Sequence, residues 1–240
     1  MPVHKSVYSY RKEISLKHHA LAHRHNNFIT RLDFRNFFNS IDSDDILIFI
    51  TDNKEHISDK WSTPDTELFI KLTTFKGALT IGSVTSPLLS NSICYALDEQ
   101  VSNICCELKV KYTRYADDLY FSTNEKQVLF SIAKHITTIL RGLSYPKSLW
   151  LNKKKTIHTS RKRLRRVTGV VLTPAGKVSV GRDKKRKVRT LVYQWATLTP
   201  KEKLSLQGYL SFVSSIEPEF INSLCSKYGS KTISDIISYK

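Results

Sequence analysis

The stretch Arg114-Tyr115-Ala116-Asp117-Asp118-Leu119 places two adjacent carboxylates inside an apolar, strand-like segment. Short β-type runs surround it between residues 110 and 122, a pattern that predicts a hairpin with the acids near its turn. A carboxylate at the edge of a buried strand is unfavourable unless it is paired or bound to a metal. The pair alone leaves two interpretations open, because Asp-Asp dipeptides are common on turns and lysines on a neighbouring helix would also neutralise them.

A third acid stands at the end of another apolar run. The segment Phe28-Ile29-Thr30-Arg31-Leu32 predicts a strand that delivers Asp33 at its end. Three such acids suit phosphoryl transfer, in which two divalent ions about 3.5–4 Å apart clamp the attacking and leaving oxygens. Asp33 and Asp117 would bridge both ions with Asp118 close by, and the backbone carbonyl of Phe34 would add an oxygen ligand. The predicted cofactor is a pair of Mg²⁺ ions, with Mn²⁺ as a substitute.

The charge balance of the 240-residue chain predicts a polyanionic partner. Lys and Arg total 38 against 21 Asp and Glu, a formal net charge of +17. Nucleic acid is favoured, with an anionic membrane surface as the rival. No apolar run approaches the roughly 20 residues that span a bilayer. No charged-then-apolar signal segment follows Met1, so a cytoplasmic location is expected.

Hydrophobic periodicity and capping residues predict the remaining elements. Helices are expected at 44–50, capped by Asp42 or Ser43, at 66–75, at 88–106, at 126–143 and in a helix-rich tail from Gly181 onward. A short strand is expected at Val167–Leu172 after a strongly basic stretch.

The cysteines and a group of histidines are residue types that bind zinc, but their spacing favours other interpretations. The cysteine spacing matches no zinc pair, so buried and reduced thiols are expected. The cysteines are Cys94, Cys105, Cys106 and Cys225. A histidine-rich segment has no cysteine or carboxylate among its histidines, so a solvated or RNA-facing loop is favoured there over a zinc site. Its members are His18, His19, His23 and His25.

Three motifs, in this order along the chain, resemble those of bacterial reverse transcriptases. Asp33-Phe34-Arg35-Asn36-Phe37-Phe38 resembles the first acidic motif of that family. Gly82-Ser83-Val84-Thr85-Ser86-Pro87-Leu88-Leu89-Ser90-Asn91 resembles its nucleotide-pocket motif, and Arg114–Leu119 looks like its catalytic hairpin. The joint match is far more specific than any one motif. It implies an RNA-directed DNA polymerase that uses dNTPs.

Further segments resemble the retron type of that family. His19-Ala20-Leu21-Ala22-His23 is similar to an upstream Asn-Ala-x-x-His signature, and Val167-Thr168-Gly169 matches a triplet in the region that contacts structured RNA. Leu151–Thr156 looks like an Asn-x-x-Lys segment, while Gly181–Arg189 and Gly208–Phe212 resemble the thumb. The resemblance spans nearly the whole chain. It implies a non-coding template RNA, its DNA product and an effector protein as partners, with a role in anti-phage defence.

The resemblance also implies individual roles. Phe38 would be the steric gate that rejects a 2′-hydroxyl, although a core phenylalanine beside Phe37 is the alternative. Gly82 and Ser83 would belong to the nucleotide pocket, where glycine permits close approach of the backbone. Lys155 would protonate the pyrophosphate leaving group or contact phosphate, and a solvated lysine is an equally good interpretation.

Basic and retron-specific residues would contact nucleic acid, and an exposed charged face is the alternative for the basic ones. The predicted nucleic-acid contacts are Val167, Thr168, Gly169, Arg182, Lys184, Lys185, Arg186, Lys187 and Arg189.

The sequence departs from the family pattern in three places. His19 replaces an asparagine, and Leu79-Thr80-Ile81-Gly82 replaces Leu-Pro-Gln-Gly, so Ile81 cannot make the amide contacts of a glutamine. Little chain precedes the upstream motif, where the family has a finger hairpin that holds the triphosphate. Arg11 and Lys12 would substitute for it in part, or the chain is a fragment, or a short form completed by a partner or by RNA.

These observations predict an α+β fold: a polymerase right-hand palm with reduced fingers and a helical thumb. The expected domains are residual fingers at 1–30, the palm at 31–175 and the thumb at 176–240. The leading function is synthesis of RNA-linked single-stranded DNA on a structured RNA. The alternatives are a catalytically impaired scaffold that binds RNA or DNA, and a reverse transcriptase of another bacterial lineage.

Overall fold

The computed structural model describes residues 2–239, so Met1 and Lys240, the outer ends of the predicted domains, lie outside the described residues. The chain forms two compact units. The first contains the residues up to 14 together with 25–160, and the second contains 15–24 together with the residues from 161 onward. The fingers, palm and thumb boundaries stay a prediction.

The helices and strands are numbered here in chain order. The helices are α1 (Leu16–Ala22), α2 (Ser43–Asp52), α3 (Lys54–Ile57), α4 (Thr63–Thr73), α5 (Ser86–Ile93), α6 (Tyr95–Glu107), α7 (Val128–Gly142), α8 (Arg182–Tyr193), α9 (Pro200–Ile216), α10 (Pro218–Tyr228) and α11 (Ser230–Ile237). The strands are β1 (Phe28–Asp33), β2 (Lys111–Tyr115), β3 (Asp118–Thr123), β4 (Ile157–Ser160), β5 (Arg165–Val167), β6 (Val170–Leu172) and β7 (Val178–Ser179).

The first unit is built on an antiparallel sheet with the strand order β2-β3-β1-β4. Helix α6 contacts β2, and α7 contacts β1 and β3. The buried side chains of α7 recur at helical spacing and so form one apolar face. This face joins Leu32, Leu119 and Phe121 of the sheet in a single hydrophobic core, which holds β1 and β3 side by side.

The second unit combines a three-stranded antiparallel sheet, in the order β5-β6-β7, with a helical bundle. Helix α1 contacts all three strands, and α9, α10 and α11 contact one another. Apolar side chains at helical spacing on α9 are fully buried, among them Leu206, Leu210 and Val213. The predicted helix-rich tail is therefore confirmed.

Most predicted elements are present, with differences at two positions. The helix predicted at 88–106 is two helices, α5 and α6, joined at Cys94, whose ψ of 9° departs from the helical value. One such residue leaves the hydrophobic spacing almost unchanged, which is why periodicity does not detect the break. The strand predicted at Val167–Leu172 is a hairpin, because Thr168 and Gly169 have φ of 44° and 80° and form the turn between β5 and β6.

The expectations for cysteine and histidine are partly wrong. Cys94 and Cys105 are buried, and burial raises the pKa of each thiol to about 12. Cys106 is exposed and Cys225 is half-buried. His19 is fully buried on α1, so the expected solvated loop is wrong there.

Within residues 2–239, no helix combines the length and the apolar character needed to cross a bilayer.

Candidate active site

Strand pairing brings the three predicted acids to one end of the sheet. Asp33 is the last residue of β1 and Asp118 the first residue of β3, and the two are direct partners in the antiparallel register. Asp117 lies in the turn between β2 and β3, where its carbonyl accepts a hydrogen bond from the Phe34 N–H at 3.0 Å. Asp33 is 84 positions from Asp117 and 85 positions from Asp118 in the sequence, and backbone hydrogen bonds hold the three acids together.

Two basic residues neutralise part of this acidic cluster. The Lys155 ammonium lies 3.1 Å from each Asp33 carboxylate oxygen. The Arg31 Nε lies 3.7 Å from Asp118 Oδ1. Burial raises the pKa of Asp118 to about 6, although Arg31 opposes the rise, and the nearby Asp117 and Asp33 carboxylates add to it. The site therefore holds negative charge close enough together for a bound cation to relieve it.

The chemistry of the donor set fits a hard divalent cation. Its side-chain donors are all carboxylate oxygens, which Mg²⁺ prefers. Asp33 Oδ1 is buried and accepts no hydrogen bond of good geometry, so one oxygen retains acceptor capacity despite the nearby Lys155. Among residues 2–239, no three His, Cys, Asp or Glu side chains already converge on one point as a metal site does. The Lys155 ammonium beside Asp33 already balances part of the charge of this carboxylate.

A buried ionic network supports the turn that carries Asp117. The Arg114 guanidinium pairs with the Asp98 carboxylate through Nη2–Oδ2 at 2.6 Å and Nε–Oδ1 at 2.8 Å, and both side chains are fully buried. The Tyr112 hydroxyl donates a further hydrogen bond to Asp98 Oδ1 at 2.7 Å. Arg114 Nη1 also donates to the Ala116 carbonyl at 3.3 Å. The pair therefore reaches the residue directly before Asp117.

Ser9 and Asn91 complete this network from two distant parts of the sequence. Ser9 Oγ accepts the Ala116 N–H at 2.9 Å, and the Ser9 carbonyl accepts from Asn91 Nδ2 at 3.0 Å. Arg114 Nη1 donates to Asn91 Oδ1 at 3.2 Å. Sequence reasoning missed these supporting roles. The one available signal was an arginine inside an apolar strand, which requires a buried partner.

The predicted nucleotide-pocket residues lie on separate segments of the first unit. Phe38 is half-buried at the start of a 3₁₀ turn, and its ring lies 5.3 Å from the Phe37 ring, so it packs against the core and also keeps an accessible face. Gly82 is exposed with φ of 91°, and a Cβ there would meet no atom within 4 Å. Ser83 Oγ shares a hydrogen bond of 2.8 Å with Thr85 Oγ1. Ile81 leaves 78% of its surface exposed, so it supplies an apolar surface beside Gly82.

Arg11 and Lys12 are available only in part. Arg11 Nη1 donates to the Val7 carbonyl at 3.1 Å, which occupies one of its donors. Lys12 is exposed. Within residues 2–239, neither side chain forms an ion pair with an acid of the site. A contact with a triphosphate stays a prediction.

In the second unit, two segments with retron resemblance meet each other. His19 of α1 shares a 3.3 Å hydrogen bond through Nδ1 with Thr168 Oγ1 at the β5–β6 turn. The His19 and His23 rings meet edge to face at 5.7 Å. Val167 is fully buried. An RNA contact at this turn would therefore use its backbone and the exposed surface around Gly169, because the Val167 and Thr168 side chains are engaged within the protein.

The basic residues of α8 divide into two kinds. Lys184 lies 4.3 Å from the Phe212 ring centroid, and Lys187 donates a 2.7 Å hydrogen bond to the Tyr209 hydroxyl. Lys185 pairs with Glu217. Arg189 lies over the ring of Phe220 at 4.9 Å. Arg182 and Arg186, one helical turn apart, are exposed and form no ion pair within residues 2–239. The predicted continuous basic face thus contains side chains that stabilise the unit.

Comparison with known proteins defines the class. The family model for reverse transcriptase (RNA-dependent DNA polymerase) matches residues 1–194. The chain therefore belongs to the reverse transcriptases, which are RNA-directed DNA polymerases. The solved structures it resembles agree in fold.

Within the reverse transcriptases, the chain is similar to those of the retron type. The retron Ec83 reverse transcriptase of Escherichia coli is 34% identical over 244 residues, which cover 99% of this chain and 78% of that protein. The retron Ec86 reverse transcriptase of Escherichia coli is 27% identical over 228 residues, covering 92% and 68%.

Two solved structures illustrate the shared fold. Telomerase from Candida albicans, solved with the TWJ fragment of telomeric RNA, matches with a TM-score of 0.54 at 12% identity, over 98% of this chain and 46% of that one. A foamy viral protease-reverse transcriptase, solved with an RNA/DNA hybrid, matches with a TM-score of 0.53 at 18% identity, over 97% and 29%. The chain spans less than half of either structure, and these likenesses concern the α+β fold alone.

Proposed function

We propose that this chain copies part of a structured non-coding RNA into single-stranded DNA that stays linked to the RNA. The observation that carries the proposal is the direct pairing of Asp33 with Asp118 at the ends of β1 and β3, with Asp117 in the adjoining turn. The +17 net charge agrees with nucleic-acid substrates. An effector protein, a role in anti-phage defence and the bacterial cytoplasm belong to the same proposal.

In the proposed mechanism, Asp33, Asp117 and Asp118 would hold two Mg²⁺ ions, and the carbonyl of Phe34 would be a further donor. Two such ions, when bound, stabilise the charge that develops on the attacking and leaving oxygens of phosphoryl transfer. In a retron the first attacking group is a 2′-hydroxyl of the RNA. Lys155 carries a proton at Nζ and is more than half exposed, so it is placed in the mechanism as the donor to pyrophosphate.

Substrate selection is assigned to residues of the predicted pocket. The accessible face of Phe38 would pack under the deoxyribose and exclude a 2′-hydroxyl. Gly82 would let the incoming nucleotide approach the backbone closely, because the residue has a left-handed φ and no side chain that would stand between them. Replacing Phe38 with alanine is expected to raise ribonucleotide incorporation relative to deoxyribonucleotide incorporation, measured in parallel primer-extension reactions.

The decisive experiment purifies the chain with its neighbouring non-coding RNA and supplies dNTPs with Mg²⁺. The expected product is DNA whose mobility changes after ribonuclease treatment, since RNA is attached to it. Asp117→Asn and Asp118→Asn should each abolish the product and leave RNA binding intact. Asp59→Asn, which removes an exposed acid of the same type, is the matched control and should leave synthesis unchanged.

The second candidate is a nucleic-acid-binding scaffold with impaired catalysis. Two observations favour it: Lys155 neutralises Asp33, and Ile81 stands where the family pattern has glutamine. Tight RNA binding by the unsubstituted chain without any DNA product, in Mg²⁺ and in Mn²⁺, would establish the scaffold and reject the polymerase.

A further inference from the structure

A cavity of about 140 Å³ lies between the C-terminal half of α7 and the loop that follows it. Its apolar lining includes Leu140 and Leu149, both buried. Its rim carries Arg141 from the helix, and Trp150 and Lys153 from the loop. Trp150 leaves 56% of its surface exposed, unusually much for the largest aromatic side chain.

The loop that presents Trp150 is fixed by backbone hydrogen bonds. The Trp150 carbonyl accepts the Arg35 N–H at 2.8 Å, and Leu151 bridges to Phe34. The Asn152 N–H donates to the Asp33 carbonyl at 2.7 Å. The indole is therefore attached to a rigid part of the backbone, two residues from the position bonded to a proposed catalytic acid. A ring carried on a fixed backbone segment costs less conformational entropy to order on a ligand than one carried on a mobile loop.

The charge around the cavity is positive and uncompensated. Arg141 and Lys153 are both exposed, and within residues 2–239 neither forms an ion pair with an Asp or Glu. Lys147 and Lys154 are also exposed on the chain that follows α7, and Arg35, whose N–H is bonded to the Trp150 carbonyl, is exposed as well. An aromatic face beside several cations is the combination that binds single strands, because bases stack on the ring while phosphates meet the charges.

We propose that this cavity holds one unpaired base of a single-stranded nucleic acid, stacked on Trp150, with the neighbouring phosphates on Arg141 and Lys153. Its volume is well below the roughly 300–1,000 Å³ of pockets for drug-sized ligands, so it admits a single ring system and excludes a folded segment. An acidic peptide would satisfy the cations but would leave the indole face and the apolar lining without a flat partner. The site goes beyond the proposed polymerase function and does not require it.

The test uses the full chain with Trp61→Phe and Trp195→Phe, which leaves Trp150 as the one tryptophan of the three. A short oligo-dU or oligo-rU strand, which forms no secondary structure, is titrated without dNTPs while Trp150 emission is followed. Saturable quenching is the expected result. Because no synthesis occurs in this assay, a failure of DNA polymerisation leaves its outcome unaffected.

Variants then assign the binding energy. In the chain that keeps Trp61 and Trp195, Trp150→Ala is expected to weaken oligonucleotide binding about 5- to 150-fold, the range that stacking of one base provides. Trp150→Phe is expected to restore most of the affinity. Arg141→Ala should weaken binding and quenching together. Phe130→Ala, which removes another exposed aromatic from α7, should change neither. Unchanged Trp150 emission at saturation, wild-type affinity of Trp150→Ala, or equal quenching by an oligoglutamate would each overturn the proposal.

Discussion

Ala116 adopts a left-handed conformation with φ of 53°, which costs a residue with a side chain roughly 1–2 kcal/mol. Its peptide groups are held on both sides, by Ser9 Oγ at the N–H and by Arg114 Nη1 at the carbonyl. These bonds offset the strain and fix the position of the backbone that leads into Asp117. Two residues without any metal-binding chemistry therefore define the position of a proposed metal ligand.

Ser9→Ala is expected to raise the Mg²⁺ concentration needed for half-maximal DNA synthesis. The substitution leaves the buried Ala116 N–H without its acceptor, a loss of about 1–3 kcal/mol that frees the turn before Asp117. The measurement is a Mg²⁺ titration of initial rates, together with a thermal melt of the same protein.

Thr123→Ala is the matched control for Ser9→Ala. Thr123 is buried at the far end of β3 and donates through Oγ1 to the Lys109 carbonyl. Its loss should lower the melting temperature without changing the Mg²⁺ requirement. An equal shift in Mg²⁺ requirement for both variants would show that Ser9 acts only through overall stability.

At the scale of elements, α8 uses one kind of residue for two purposes. Lys185 pairs with Glu217, which also accepts hydrogen bonds from Ser179 Oγ and the Val180 N–H. This arrangement ties α8 and α10 to the end of β7. Arg186, the next residue along the chain, points its charge to solvent instead.

Substitutions of these two adjacent residues on α8 should therefore affect different properties, stability in one case and duplex binding in the other. Lys185→Met is expected to destabilise the protein, by about 3–5 kcal/mol at most, because Glu217 loses its cation while partly buried. Arg186→Met is expected to leave the melting temperature unchanged and to weaken binding to an RNA–DNA duplex. Thermal melts and duplex titrations of both variants check the division; reduced duplex binding without destabilisation for Lys185→Met would contradict it.

The burial of His19 on α1, beside the β5–β6 turn, predicts that stability depends on pH. Burial lowers the pKa of His19 to about 3, well below its unfolded value near 6.5. The folded state keeps this imidazole neutral, so its contribution to stability is present above pH 6.5 and is lost as the pH falls toward 3.

His19→Asn should remove that dependence. Between pH 6 and pH 4 the free energy of unfolding of the unsubstituted chain is expected to fall faster than that of the variant, by up to about 1.4 kcal/mol per pH unit for one proton. Urea denaturation at several pH values measures both slopes. Parallel slopes would mean that His19 is not kept neutral by the fold.

At the scale of the whole molecule, the net charge of +17 is the dominant property. Neutralising phosphates releases counterions, so the logarithm of affinity should fall by about 0.9 per duplex phosphate contacted for each logarithmic unit of salt. The affinity for an RNA–DNA duplex is expected to drop at least about tenfold between 50 and 200 mM salt. Filter binding across this range tests the prediction, and a salt-independent affinity would contradict it.

The sequence by itself determined the strand that ends at Asp33, the hairpin that carries Asp117 and Asp118, and most of the amphipathic helices, but not the break at Cys94 or the turn at Thr168 and Gly169. Period-two and helical hydrophobic patterns are local signals, and an acid at the end of an apolar strand needs a partner wherever the strand lies. The family motifs added the class of enzyme. These features could be predicted because each depends on residues within about one element.

Only the tertiary structure decided which partners those residues meet. Ser9 reaches Ala116 across 107 positions and Lys155 reaches Asp33 across 122, separations that no periodicity encodes. The basic residues of α8 look alike in sequence, yet Lys185 is committed to Glu217 while Arg186 stays exposed. Strand register and helix packing bring such groups within hydrogen-bonding distance. Burial then determines the charge of each group and the strength of the hydrogen bonds and ion pairs that it forms.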